Sequence, residues 1–270
     1  MSKVKLKIKG LPQYYQGLVD FGNKTIDING HQYNTGELAL DVPISGAVYG
    51  TLLNYQGSYA AFESSMRQEP YMEPPKAPVL YIKPQNTLRS SGAVIPLPEG
   101  FFNLMVGAAL GIVIGKQATK VDEDEALGYV YGYTVVNDVC IPHESIYRPA
   151  VKEIARDGFC PAGPWVVERD SVKNPDELDI RLYINGELKQ ENNTRNLVRS
   201  VSKLISDVTS FMTLYAGDTL LVGVPEKAPL AKENDRVQIK IDGVGMLHNT
   251  IKREQDLLGG VLDEACTSRL

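Results

Sequence analysis

The run Tyr129-Val-Tyr-Gly-Tyr-Thr-Val-Val136, preceded by Ala109-Leu-Gly-Ile-Val-Ile114, decides the fold. Both segments are short and rich in β-branched and aromatic side chains, which suit a pleated, buried surface. Working outward, Val4, Leu6 and Ile8 alternate with lysines over residues 3–9, the period-two signature of a strand with one wet face. Further strands are predicted near Leu18–Phe21 and at Thr25–Ile28, separated by the turn dipeptides Gly22-Asn23 and Asn29-Gly30. An apolar stretch covers residues 46–55, and Val79–Ile82 reads as a strand reached through Pro74, Pro75 and Pro78. Asp179–Ile184 alternates into Asn185-Gly186, a strong hairpin signal. Thr219–Val222, Val237–Ile241 and Met246–Ile251 complete the set.

Helical spacing is scarce. Leu197, Val201, Leu204, Ile205 and Val208 predict one helix over Asn196–Leu214. Ser58–Gln68 has helix-like composition, and the acids of Asp122-Glu-Asp-Glu125 are placed to open a short helix at its positive end. Strands and helices do not alternate regularly, and no glycine-rich phosphate loop is present, so a doubly wound nucleotide fold is excluded. The expectation is an α+β, strand-rich fold, a rolled mixed β-sheet or β-sandwich with few helices. Residues 1–45 read as a small N-terminal β appendage, 46–253 as the main domain and 254–270 as a tail.

Composition narrows the function. The 270 residues carry 28 basic and 33 acidic side chains, a formal net charge of −5. A nucleic-acid protein needs a basic surface to displace counterions, so that class is set aside. The longest apolar run, Leu104–Ile114, is far shorter than the roughly 20 residues of a membrane span. The lysine-rich start lacks an apolar signal core, and a cytoplasmic protein is expected. Cys140, Cys160 and Cys266 form no metal-type or redox-type pair.

Chemistry-bearing residues cluster in the second half of the chain's centre. Asp138, His143 and Glu144 can form an acid–base group, although a histidine beside a glutamate without a second histidine lacks the zinc-protease pattern. Arg148 and Arg156, beside tight Gly/Pro turns, can clamp a carboxylate, or Arg156 can pair internally with Asp157. Lys83, before Pro84, is either a substrate-facing cation or an ordinary strand-end lysine. Tyr133 joins Lys83, Arg148 and Arg156 as a candidate substrate contact.

Five blocks in order, Lys83-Pro-Gln-Asn-Thr87, Ile112-Val-Ile-Gly-Lys116, Gly132-Tyr-Thr-Val-Val-Asn-Asp138, Arg156-Asp-Gly-Phe-Cys-Pro-Ala-Gly-Pro164 and Tyr215-Ala-Gly-Asp218, resemble the fumarylacetoacetate hydrolase superfamily. The stretch from Pro142 to Pro161 is most similar to the first half or subunit of its homoprotocatechuate isomerase/decarboxylase branch. The resemblance implies a rolled β fold, usually dimeric, and a Mg²⁺ or Mn²⁺ that steadies the enolate of a keto acid. In the family that ion is held by a Glu-x-Glu pair and the Asp of Asn-Asp. Aligned on Ile112–Lys116, the glutamate positions carry Gly107 and Ala109, so only Asp138 remains. The family's His and Glu after Asn-Tyr fall on Ser58 and Ala61, its lysine on Ile154 and its threonine on Val224. The expectation is therefore no metal cofactor and a small keto-acid or carboxylate ligand. The chain would be a homodimer or a heteromer with a related subunit, with neither nucleic acid nor membrane as partner. Three readings follow: a first-type subunit beside a metal-complete partner, a repurposed metal-independent enzyme on a keto-acid or polyketide-like substrate, or a non-catalytic binding or structural homologue.

Overall fold

Every residue of the strand Ala108–Ile114 is buried, because apolar layers cover both of its faces. Ala108, Leu110, Ile112 and Ile114 point into the main core, whereas Ala109 and Val113 enter a smaller cluster on the opposite face. This strand pairs antiparallel with Val130–Asn137, in a register that sets Ile112 against Tyr133 and Ala109 against Val136. The computed structural model describes residues 1–69, 71–143 and 150–257.

Around that pair, 11 strands of the described residues form one mixed sheet. On one side follow Cys160–Glu168, then Ser2–Lys7, Tyr14–Asp20, Thr25–Ile28 and His31–Asn34. On the other follow Thr219–Leu221, Val48–Leu52 and Val79–Lys83, and the eleventh, Leu88–Arg89, pairs parallel with Cys160–Glu168 off this path. The N-terminal strands thus prolong the sheet through Ser2–Lys7, whose Val4 and Leu6 are wholly buried in the main core. A second, 5-stranded sheet contains Asp179–Ile184, Glu187–Asn193, Arg236–Ile241, Gly245–Arg253 and Val94–Leu97. Its inner face, including Ile180, Leu182, Ile239 and Leu247, closes the main core against Leu110 and Ile112. The strand-rich α+β expectation holds. No helix among the described residues is long and apolar enough to cross a membrane.

Local chemistry explains where the elements depart from the sequence pattern. Asn185 and Gly186 both take positive φ, 53° and 83°, as a two-residue hairpin requires. The helix expected over 196–214 is shorter, Val201–Thr209, with the Ser200 hydroxyl capping Lys203 N–H at 3.1 Å. Asn54 accounts for the loss of its first turn. Its carbonyls accept from Val198 N (2.8 Å) and Arg199 N (2.9 Å) and hold 197–199 extended. The acidic run also departs from expectation: Asp122–Glu125 form turns, and a short 3₁₀ helix begins only at Ala126. The strand Cys160–Glu168 has no sequence forecast, because Pro161 and Pro164 argue against a central strand. It is accommodated by a register break, with Tyr133 opposite Val167 but Val135 opposite Gly163.

Candidate functional site

The edge strand Val79–Lys83 runs antiparallel to Val48–Leu52, placing Tyr81 opposite Gly50 and Lys83 opposite Val48. Residues two apart share a face, so Tyr81 and Lys83 point the same way while Ile82 is exposed. Gly50 is required here: a Cβ at that position would overlap the Tyr81 ring. Both side chains converge on Asp138, the residue directly after Val130–Asn137.

Lys83 is 1% exposed and Asp138 9%. The ammonium pairs with Asp138 Oδ1 at 2.7 Å and donates to the carbonyls of Val139 (2.6 Å), Ile154 (3.0 Å) and Phe159 (3.1 Å). Three protons therefore meet four acceptors, and nothing remains for a ligand. The second carboxylate oxygen of Asp138 accepts the Tyr81 hydroxyl. Burial, then the Asp138 charge, pushes the Tyr81 phenol well above its ordinary range, so it stays a donor. Burial likewise pushes the thiols of Cys140 and Cys160 up to about 12, which leaves both inert as nucleophiles near neutral pH.

The backbone closes the same region. Asp138 N donates to Gly107 O at 2.8 Å, and Gly107 N donates to Asn137 Oδ1 at 3.3 Å. A Cβ at Gly107 would lie 2.7 Å from Val224 Cγ2 and 2.9 Å from the Asp138 carbonyl. Ser58 Oγ donates to Val224 O at 3.4 Å, so positions 58, 107, 138 and 224 do meet in space.

His143 stands at the margin. Its Nδ1 faces Ile141 O at 2.9 Å; a carbonyl only accepts, so Nδ1 carries a proton, and in the neutral ring the lone pair is on Nε2. Ile141 N in turn donates to Glu153 O at 3.0 Å, tying this segment to the helical turn Val151–Ile154. Arg156 donates from Nε to Lys152 O at 3.0 Å and lies 5.7 Å from the Phe101 ring centroid. No ion pair to Asp157 forms; that carboxylate accepts from Asn86 Nδ2 at 2.7 Å instead. Tyr133 is not brought to this group. Its side chain points into the main core, fully buried, with a hydroxyl that has no hydrogen-bond partner among the described residues. Of the two readings open for Lys83, the structure places its ammonium against the Asp138 carboxylate at the end of its strand. Glu144 and Arg148 lie outside the described residues. Sequence reasoning missed Tyr81, although its place two residues before Lys83 on one strand was the available signal.

A rolled mixed sheet closed by a second sheet, with a Lys-Pro strand end and an Asn-Asp strand end meeting at its rim, defines a class. Residues 47–252 match the family described as Fumarylacetoacetate (FAA) hydrolase C-terminal, and the chain belongs to that family. It is 38% identical over 214 residues to the homoprotocatechuate catabolism bifunctional isomerase/decarboxylase of Escherichia coli, covering 79% of this chain and 49% of that protein. The chain thus spans about half the length of this curated relative. Among solved structures, a 5-carboxymethyl-2-hydroxymuconate delta-isomerase from Mycobacterium smegmatis shares the fold with a TM-score of 0.76 at 24% identity, covering 94% of this chain and 99% of that one. A maleylpyruvate hydrolase from Sphingobium sp. SYK-6, solved with manganese (II) ion and pyruvate, has a TM-score of 0.74 at 22% identity, covering 93% and 99%.

Proposed function

We propose that this chain belongs to the branch acting on unsaturated keto diacids, lacks a divalent metal of its own and serves as a first-type subunit beside a metal-complete relative. The observation that carries this reading is the engagement of both Asp138 oxygens, one by Lys83 and the other by Tyr81. A hard cation sheds its waters only when several oxygens replace them. Gly107 and Ala109 supply none, and a side chain at 107 would strike Val224. This donor set does not fit Mg²⁺ or Mn²⁺, and no step is routed through one. On this reading Lys83 balances the Asp138 charge and holds the Asn-Asp turn and the carbonyls of Val139, Ile154 and Phe159 in place. Arg156 is the ligand-facing group, because only its Nε is engaged among the described residues, leaving the terminal nitrogens for a carboxylate.

One observation favours a second reading, a repurposed metal-independent enzyme. The Nδ1 bond of His143 leaves Nε2 as a base able to move a proton next to a carbonyl.

Calorimetric titration of the protein with Mg²⁺ and Mn²⁺ should give no micromolar binding; such binding, abolished by Asp138→Ala, would overturn the metal-free reading. Decarboxylation and tautomerisation of unsaturated keto diacids are then assayed with the chain alone and mixed with a metal-complete homologue. Activity above that of the homologue alone, seen only in the mixture, supports the subunit reading. Turnover by the chain alone, lost in His143→Gln, replaces it with the second. Neither turnover nor ligand binding in any combination overturns both and leaves a structural homologue.

A further inference from the structure

A cleft of about 980 Å³ lies between the N-terminal strands and the second sheet, and it shares no lining residue with the Asp138 site. Clefts of roughly 300–1,000 Å³ are the size that encloses small organic ligands. One wall is the segment 34–40, anchored at both ends: Thr35 N donates to Lys24 O at 2.9 Å, and Lys9 N donates to Ala39 O at 2.8 Å. Lys9 and Lys24 therefore flank the same wall, both exposed. Phe21 and Trp165 give the cleft two aromatic rings, 6.3 Å apart between centroids and inclined at 53°. The indole is fixed by donation from Nε1 to Val244 O at 2.9 Å. Opposite, Ser91 Oγ and His248 Nδ1 lie 3.3 Å apart.

The sign of the unused charge follows from what is already paired. Asp20 keeps its negative charge, because the groups it accepts from, Gly22 N (2.9 Å), Asn23 N (3.0 Å) and Asn23 Nδ2 (3.0 Å), are neutral. Asp242 is bridged by Lys240 at 2.9 Å and Arg181 at 3.1 Å. Lys9 and Lys24 form no ion pair among the described residues, unlike Lys7, which meets Asp41 at 2.9 Å. The cleft thus offers the exposed Phe21 ring beside an edge of the largely buried Trp165, and two ammonium groups without an ion pair against the one unneutralised carboxylate, Asp20.

We propose that this cleft binds an aromatic monocarboxylate, its ring system against Phe21 and Trp165 and its carboxylate between Lys9 and Lys24. A rigid ring loses little conformational freedom on binding, and the two cations select an acid over a neutral analogue. The site is independent of the chemistry assigned to Asp138 and stands or falls separately.

Trp165 is the only tryptophan, so the ¹⁵N-labelled full chain gives one indole N–H resonance to report the cleft. Titration with 2-naphthoate should shift that resonance saturably, and 2-naphthamide should bind at least about tenfold more weakly. The double variant Lys9→Ser, Lys24→Asn should lose about tenfold in affinity for the acid and little for the amide. Asparagine is chosen at 24 because Lys24 has φ 54°, a conformation it tolerates well. Phe21→Ala should weaken acid and amide alike, which keeps the ring contact testable if the lysine variant fails to fold. No saturable shift with the acid, or equal affinity for acid and amide, would overturn the proposal.

Discussion

Lys83 and Lys24 each end in an ammonium group, and almost nothing else in their surroundings is alike. Lys83 is enclosed, with one carboxylate and three carbonyls around a single nitrogen. Lys24 sits exposed on the rim of an open cleft, with no ion pair among the described residues. An enclosed charge must be fully compensated, because the desolvation of each unpaired group is large. An exposed one bears no such penalty and can exchange water for a ligand. The first arrangement makes a rigid internal tie between three chain segments; the second makes a place where recognition is possible without rearrangement.

The sharpest way to break this contrast is Lys83→Met. It leaves the Asp138 carboxylate buried beside carbonyl oxygens, and the expected loss is about 3–5 kcal/mol in urea unfolding. Adding Asp138→Leu should recover a substantial part, since removing both members of a buried pair is far milder than removing one. Lys24→Asn, measured the same way, should change stability little. A loss near zero for Lys83→Met would mean that water reaches the pair and that the two lysines are not so different.

Smaller in effect is a pair of glycine substitutions. Gly107→Ala puts a Cβ 2.7 Å from Val224 Cγ2 and 2.9 Å from the Asp138 carbonyl, an overpacking expected to cost about 1–3 kcal/mol. Val224→Ala should relieve only the first contact. Gly36→Ala, in the cleft wall, meets nothing nearer than 3.6 Å and should be almost silent. Equal effects at 107 and 36 would remove the argument that one region is packed shut and the other open.

The contrast also marks what the sequence could reveal. The strand at Asp179–Ile184 and its Asn185-Gly186 turn are local features, legible because period and turn chemistry act over a few residues. Cys160–Glu168 was illegible because its prolines break the local rule, and a register shift with Val130–Asn137 supplies the remedy. At the candidate site, aligned spacing pointed to Asp138 and set Gly107 and Ala109 where the resemblance leads one to expect carboxylates. It could not show that Lys83 turns inward, because burial of an ammonium depends on carbonyls from Val139, Ile154 and Phe159, remote in the chain. The inward face taken by Tyr133 was hidden for a related reason: motif membership does not tell which face of the sheet a side chain takes. The cleft left no motif at all, since its walls come from residues 9–40, 90–93, 164–165 and 240–248.

His248 refines the comparison from inside the cleft, with the smallest expected effect. Burial first, and the positive charge of Arg236 second, lower its pKa from the ordinary 6.5. Facing it in the cleft are the hydroxyl of Ser91 and the already paired Lys240 and Asp242. Between the lowered folded value and 6.5 the unfolded chain binds more protons than the folded one, so stability rises with pH across that window. It is fully present above the unfolded value and declines as pH falls below it. Urea midpoints measured from about pH 8 down to about pH 5 should therefore drop, and His248→Gln should flatten that part of the curve. Lys9→Ser, at the rim of the same cleft, should leave that slope unchanged. If His248→Gln leaves the slope unchanged, the imidazole is as wet as the lysines beside it, and the cleft is polar to its floor rather than only at its rim.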